Sequence, residues 1–221
     1  MKRRFLILAI FAALGVPDCL KAGPTAIALP PPKTEGSISV EAALAARRSV
    51  RSYTREALTP AELGQLLWAA QGITGPDGKR TAPSAMQRYP LEIAVVVQNV
   101  AGLPRGAYRY VPAQHSLQLL TEAKGDAPLL ATATSQAQVH SAPAVFVIAA
   151  IYERMGTGGR NRTFTDYEAG LASENLLLEA VALGLGAVVT GGIDTGAVQN
   201  AVKFTAGAEV IVVIPVGHPG K

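Results

Sequence analysis

Apolar positions recur along this chain with two different periods, and the switches between them divide it into elements. Val40 to Ala46 is a short amphipathic run with helical spacing. Thr59-Pro60-Ala61-Glu62 is a capping box with proline at the first helical position. It opens a helix over Leu63 to Gly72, whose apolar face is Leu66, Leu67 and Trp68. Gly75-Pro76-Asp77-Gly78 spells a turn. Leu91 to Val97 is a β-branched run and predicts a buried strand. Ala107 to Val111 and Ser116 to Thr121 predict a hairpin around Pro112-Ala113-Gln114-His115. Asp126 to Thr134 predicts a helix, and Ala142 to Ile151 a central strand. Phe164 to Leu183 is the longest helical stretch, apolar almost all round and therefore expected to be largely buried. Gly184 then supplies a helix C-cap. Ala187 to Val189 predicts a short strand, Asp194 caps a short helix ending near Val202, and Glu209 to Val216 forms the last strand. Helices, a hairpin, then alternating strands and helices imply an α+β or α/β three-layer fold.

The chain has 221 residues, of which 49% are hydrophobic and 16% charged, a composition that supports one well-packed domain. A net charge of +4 with few aromatic residues gives neither the field nor the stacking platform of a nucleic-acid binder. The first 22 residues have the layout of a signal peptide. Lys2-Arg3-Arg4 is a charged start, Phe5 to Val16 an apolar run too short for a comfortable membrane span, and Leu20-Lys21-Ala22 a cleavage site. Export, to the periplasm, is the expectation; an uncleaved N-terminal anchor or a cytoplasmic protein are the alternatives. Residues 23–38, with four prolines, predict an extended linker or arm, which leaves residues 39–221 as the folded domain. The single cysteine, Cys19, falls inside the signal segment, so a cleaved chain has neither disulfide nor thiolate. His115, His140 and His218 are scattered without ligand spacing, so no metal is expected.

Candidate chemistry concentrates in three segments. Arg47-Arg48-Ser49-Val50-Arg51 sets three guanidinium groups and a hydroxyl into five residues with no acid among them. Planar bidentate donors suit a phosphate or an electron-rich heterocycle, although a solvated basic helix end has the same composition. Thr190-Gly191-Gly192 follows a buried strand and precedes a capped helix. Paired glycines there either let backbone N–H groups approach a flat ligand or simply make a tight turn. Pro83-Ser84-Ala85-Met86-Gln87-Arg88-Tyr89-Pro90 offers a hydroxyl, an amide and a guanidinium ahead of a strand, as an ordinary polar loop also would. No nucleophile elbow, Walker loop or complete dinucleotide fingerprint is present.

Taken in order, several segments resemble the nitroreductase-like flavoenzymes, and most of all the branch that contains the azoline oxidases of peptide-antibiotic maturation. They are Arg47 to Tyr53, Ala82-Pro83-Ser84-Ala85 with Tyr89-Pro90-Leu91-Glu92, Gly106 to Tyr110, Glu168-Ala169-Gly170, Glu174 to Leu178, Ala182 to Ala187, Gly191-Gly192-Ile193-Asp194 and Pro215-Val216-Gly217. The resemblance runs from about Ser39 to the chain end. It implies an α+β, three-layer α/β/α fold with a central, mostly antiparallel sheet. It further implies an intertwined homodimer with FMN at the subunit interface and the long helix in that interface. By position, Arg47, Arg48, Ser49 and Arg51 would contact the flavin pyrimidine, ribityl and phosphate. Pro83, Ser84 and Ala85 would line the site from the partner, and Gly191 and Gly192 would face the isoalloxazine near N5. Classical relatives place phosphate-binding basic residues in a C-terminal extension, for which only His218 and Lys221 could substitute here. The implied activity is FMN-dependent transfer of electrons from NAD(P)H to a small acceptor such as a nitroaromatic or a quinone, with no essential protein acid or base. Two alternatives are a peptide azoline dehydrogenase and a flavin-binding protein without turnover. The Lys-Tyr pair of many azoline oxidases is replaced here by about Gly156-Thr157, which argues against the first.

Overall fold

A computed structural model describes residues 26–220, so the proposed signal segment and Lys221 lie outside it. Seven strands form one sheet: β1 (Ile27–Ala28), β2 (Leu91–Val97), β3 (Gly106–Val111), β4 (Ser116–Glu122), β5 (Ala144–Ala150), β6 (Gly186–Ala187) and β7 (Glu209–Gly217). Their spatial order is β1-β4-β3-β2-β5-β7-β6, and every paired neighbour is antiparallel. The helices are α1 (Val40–Ala46), α2 (Pro60–Gln71), α3 (Ala137–Ser141), α4 (Asn161–Ala182) and α5 (Thr195–Val202).

The apolar run of β2 is buried on both sides because the sheet is covered on both sides. Ile93, Val95 and Val97 join Leu63, Leu66 and Leu67 of α2 and Ala172, Leu176 and Ala180 of α4 in one core. The alternate residues Ala94 and Val96 join Val145, Val147 and the α5 side chains Val198 and Val202 in the other. Period-two alternation thus feeds two cores, and the layers read helix, sheet, helix.

Local signals hold at the helix ends. Thr59 accepts from the Glu62 N–H while the Glu62 carboxylate accepts from the Thr59 N–H, closing the capping box. Asp194 accepts from the Ala197 N–H at 2.9 Å. Helix α4 ends in a Schellman motif: Leu185 N–H donates to the Ala180 carbonyl and Gly184 N–H to that of Val181, with Gly184 at φ +72°.

Two expectations need correction. Asp126–Thr134 is not a helix. Pro128 and Leu130 carbonyls accept from N–H groups only three residues ahead, and the short helix follows at Ala137–Ser141. Pro128 and the side-chain acceptor Thr134, which bonds the Gln136 N–H, favour turns there over helix propagation. Helix α4 begins three residues earlier than the apolar pattern suggests, and it is not buried all round. Thr165, Glu168, Ala169, Ala172, Ser173, Leu176, Leu177 and Ala180 are buried, whereas Asp166, Tyr167, Gly170 and Leu171 are exposed.

The segment ahead of α1 is tied to the sheet edge. Ile27 and Ala28 pair with Leu117 and Ser116, and Leu29 N–H donates to the His115 carbonyl. The His115 ring completes the tie. Nε2 lies 2.9 Å from the Pro30 carbonyl and must donate to it, so Nδ1 accepts from the Tyr110 hydroxyl at 2.9 Å. Burial pushes the His115 imidazole below its ordinary value, partly offset by the Pro30 bond. The folded state therefore disfavours protonation. This contribution is complete above the ordinary histidine range and is lost as pH falls through it. Limited proteolysis should cut residues 31–38 faster at pH 5.5 than at pH 7.5, and in His115→Gln the rates at the two pH values should converge.

Candidate active site

Helix α1 stops where the chain is captured by the sheet. Arg47 leaves helical geometry at φ −55°, ψ 123°, and its N–H still donates to Ala43. Two residues later Ser49 bridges Ala187 in parallel, and Val50 N–H donates to the Ala187 carbonyl at 3.1 Å. The basic segment is therefore laid beside β6, not left as a solvated helix end. Further on, Tyr53 bridges Pro219, Thr54 N–H donates to the His218 carbonyl, and Gly220 N–H donates to the Ser52 carbonyl. The Tyr53 hydroxyl sits 2.8 Å from the Val50 carbonyl and 3.0 Å from that of Pro215. Burial drives this phenol far above its usual range, so it remains a neutral donor that anchors the segment to β7.

The three arginines do different things. Arg48 folds back, its Nη1 donating to the Ala45 and Arg47 carbonyls at 3.1 and 2.7 Å, and so satisfies the end of α1. Arg47 is half-buried, with Nε 3.8 Å from Glu174 Oε1; both groups are substantially solvated, so the pair holds little energy. Arg51 and Ser49 are exposed and their side chains make no hydrogen bond among the described residues. A cavity of about 250 Å³ opens beside Arg47 and Arg48, closed by Leu177, Val181, Gly184, Leu185 and Pro219.

From Ala187 the chain continues along β7 through Thr190, which pairs with Val213, into the glycine turn. Four residues of extended chain span at most about 13 Å. The turn is pinned from behind. Gly192 carbonyl accepts from Gln136 Nε2 at 2.9 Å and from Thr134 Oγ1 at 3.1 Å, and Asp194 N–H donates to Ala133. The Gly191 and Gly192 N–H groups have no partner among the described residues, and nothing lies within 4 Å of a Cβ built on Gly191. Free guanidiniums at one end, free N–H groups at the other and an open face between them suit a ligand with an anionic tail and a flat polar ring.

Pro83, Ser84 and Ala85 are not brought to this place. Ser84 stands beside Glu168, six residues before Glu174 and so about 9 Å away along α4. The loop is conformationally unusual: Met86, Gln87 and Tyr89 have φ of +56°, +55° and +46°, each costing of the order of 1 kcal/mol. The Ser84 hydroxyl accepts from the Tyr89 N–H at 2.8 Å, holding the turn closed.

Sequence reasoning gave no site role to the charged groups around that loop. Glu168 is 2% exposed and its Oε2 has no partner. Burial holds its carboxyl above the ordinary range, while Ser84, Gln71 and the charge on Arg80 pull it back. Arg80 donates to Gln71 Oε1 at 2.9 Å and lies 4.3 Å over the Tyr89 ring. An acid in an otherwise apolar helical stripe was the available signal for Glu168.

The chain as a whole is similar to known proteins. The family model described as "Nitroreductase family" matches residues 44–218. The curated "Putative nitroreductase MJ1384" of Methanocaldococcus jannaschii is 37% identical over 183 residues, covering 82% of this chain and 91% of that one. Among solved structures, a "putative nitroreductase" from Ralstonia eutropha JMP134 is 30% identical with a TM-score of 0.77, covering 89% of this chain and 90% of that one. A "putative nitroreductase in complex with fmn" from Desulfovibrio desulfuricans is 23% identical with a TM-score of 0.59, covering 84% and 88%.

The close approach of the basic segment to β6 depends on one missing side chain. A Cβ on Gly186 would fall 2.5 Å from Val50 Cγ1 and 2.7 Å from Val50 Cβ. Gly186→Ala should therefore cost about 1–3 kcal/mol, measured by denaturant unfolding, because Val50 is pushed off Ala187. Gly191→Ala, with open space at its Cβ, should leave the unfolding midpoint unchanged.

Proposed function

Because the chain belongs to the nitroreductase family, we propose that it is an FMN-dependent oxidoreductase that carries electrons from NAD(P)H to a small acceptor, a nitroaromatic or a quinone. The observation that carries this reading is the alignment of Arg47, Ser49 and Arg51 with the free N–H groups of Gly191 and Gly192 along one edge of the sheet. The donor set fits the cofactor, with guanidiniums for its phosphate and ring carbonyl and backbone donors for its ring edge. Bound there, FMN supplies the hydride chemistry. The chain's part is to bind, orient and tune. Arg51 has no counter-ion among the described residues, and Arg47 gives up only a long, solvated contact with Glu174. A guanidinium held beside a ring that becomes negative on reduction raises its potential. The turn's N–H groups fix the ring edge without a titrating side chain, so no protein acid or base is required at the hydride step.

The 250 Å³ cavity beside Arg47 receives the tail, and the ring extends beyond it over Gly191, where a single chain provides no opposite wall. We take that wall to be Pro83, Ser84 and Ala85 of a second copy. An exposed apolar strip supports such a dimer: Val40 and Leu44 of α1 and Tyr167 and Leu171 of α4 are 66%, 54%, 59% and 48% exposed, and the two helices pack together. The same reading takes residues 1–22 as a cleaved signal segment and places the enzyme in the periplasm, with Lys221 adding charge at the phosphate.

Purified protein should be yellow, retain FMN through gel filtration and bleach on addition of NADH or NADPH; a colourless protein that takes up no FMN overturns the reading. Removing charge by Arg47→Ala with Arg51→Ala should weaken FMN affinity by about two orders of magnitude in a fluorescence titration. Leu171→Asp should halve the mass measured by light scattering and release the flavin with the same concentration dependence.

A further inference from the structure

The ladder between β2 and β3 ends early. Its last pair is Ala94 with Arg109, although β2 begins at Leu91 and β3 runs to Val111. Beyond Arg109, Tyr110 and Val111 pair only outward with Leu117 and Ser116, while Leu91, Glu92 and Ile93 pair only with β5. The splayed ends enclose a slot of about 190 Å³. Into its walls come Arg109 from β3, Arg80 from the segment after α2 and Arg154 from the turn after β5, against a single carboxylate, Glu92.

That carboxylate does not satisfy them. Glu92 is 9% exposed; it takes a short hydrogen bond from Arg154 Nη2 and lies 3.9 Å from Arg109 Nη1. Arg109 is otherwise engaged by Gln118 and, at 3.4 Å, by Thr205 Oγ1. Among the described residues Arg80 has no carboxylate in contact, only the Gln71 amide oxygen and the Tyr89 ring face. The Nε atoms of Arg80 and Arg109 are buried without a partner. Burial draws the Arg80 guanidinium below its ordinary value, opposed at longer range by Tyr89 and Glu168. Glu168 reaches Arg80 only through the Gln71 amide, so the recess sets three guanidiniums against one carboxylate in contact and lacks a full counter-charge. Glu92 marks what that charge is, since its two oxygens already lie between two of the forks.

We propose that the slot binds a small doubly charged oxyanion, of the phosphate, sulfate or short dicarboxylate class, held between Arg80, Arg109 and Arg154. The volume admits an ion of that size with a few waters and excludes a nucleotide. The site is separate from the Arg47–Arg51 segment, shares no residue with it and stands whether or not that segment binds flavin.

The test is calorimetric titration of the full chain with inorganic phosphate, sulfate and malonate at constant ionic strength in chloride. It is repeated in the Arg47→Ala, Arg51→Ala background so that phosphate at the other basic segment is not counted. Saturable one-to-one binding is expected in both. Arg109→Gln and Arg80→Gln should each weaken it about ten-fold or more, and Glu92→Gln, which removes the competing carboxylate, should tighten it. The exposed control Arg55→Gln should change nothing. Binding of phosphate and sulfate alone identifies a tetrahedral oxyanion, and binding of malonate alone a dicarboxylate; either supports the site. No saturable heat from any of the three in both wild type and Glu92→Gln overturns it. So does wild-type affinity in an Arg109→Gln protein with a native melting point, or an equal loss in Arg55→Gln.

Discussion

The hydrogen bond from Val50 to Ala187 is the constraint on which the site rests. It converts the end of a seven-residue helix, too short to hold its shape alone, into an eighth line of chain along the sheet. The C-terminal residues 218–220, continuing β7, then hold the next part of the same segment through Ser52 and Thr54. A stretch that carries three like charges is thereby held at successive points by backbone bonds. The Tyr53 phenol adds a third attachment, kept neutral by burial.

Such clamping gives like charges different surroundings. Arg48 turns its Nη1 back to close α1, whereas Arg51 makes no side-chain bond among the described residues and Arg47 only a long one to Glu174. A sequence cannot make that distinction, because the three side chains are chemically identical and their fates depend on which carbonyls lie within reach. The same applies to Glu92 and Glu168. One is saturated by arginine and the other left with a bare oxygen, and neither outcome is written in the neighbouring residues.

Much of the architecture was nonetheless legible. Runs such as Leu91–Val97 and Ala144–Ala150 are β-branched and small, and both end up buried in adjacent strands with full register between them. The capping box at Thr59 and the Asp194 cap fixed helix starts through bonds local to a few residues. Where the reading failed, apolar spacing was not the deciding factor. The stretch after Asp126 turns on Pro128 and on the Thr134 hydroxyl, which also reaches the Gly192 carbonyl almost sixty residues on, and the bare side of α4 is one that no element among the described residues covers. The ordered family segments foretold the membership; two of them contain Glu92 and Arg109, but only the fold brings these together with Arg80 and Arg154 in one slot.

The loop at Met86–Tyr89 has a mechanical meaning. Glycine would adopt its three left-handed conformations without strain, yet none of these positions is glycine. Such backbone persists where neighbouring contacts over-determine it, and here the Ser84 hydroxyl closes the loop on the Tyr89 N–H while Arg80 stacks on the Tyr89 ring. The outline of the slot around Arg80 is thereby coupled to a strained turn, whereas the Arg47–Arg51 segment is held independently by β6.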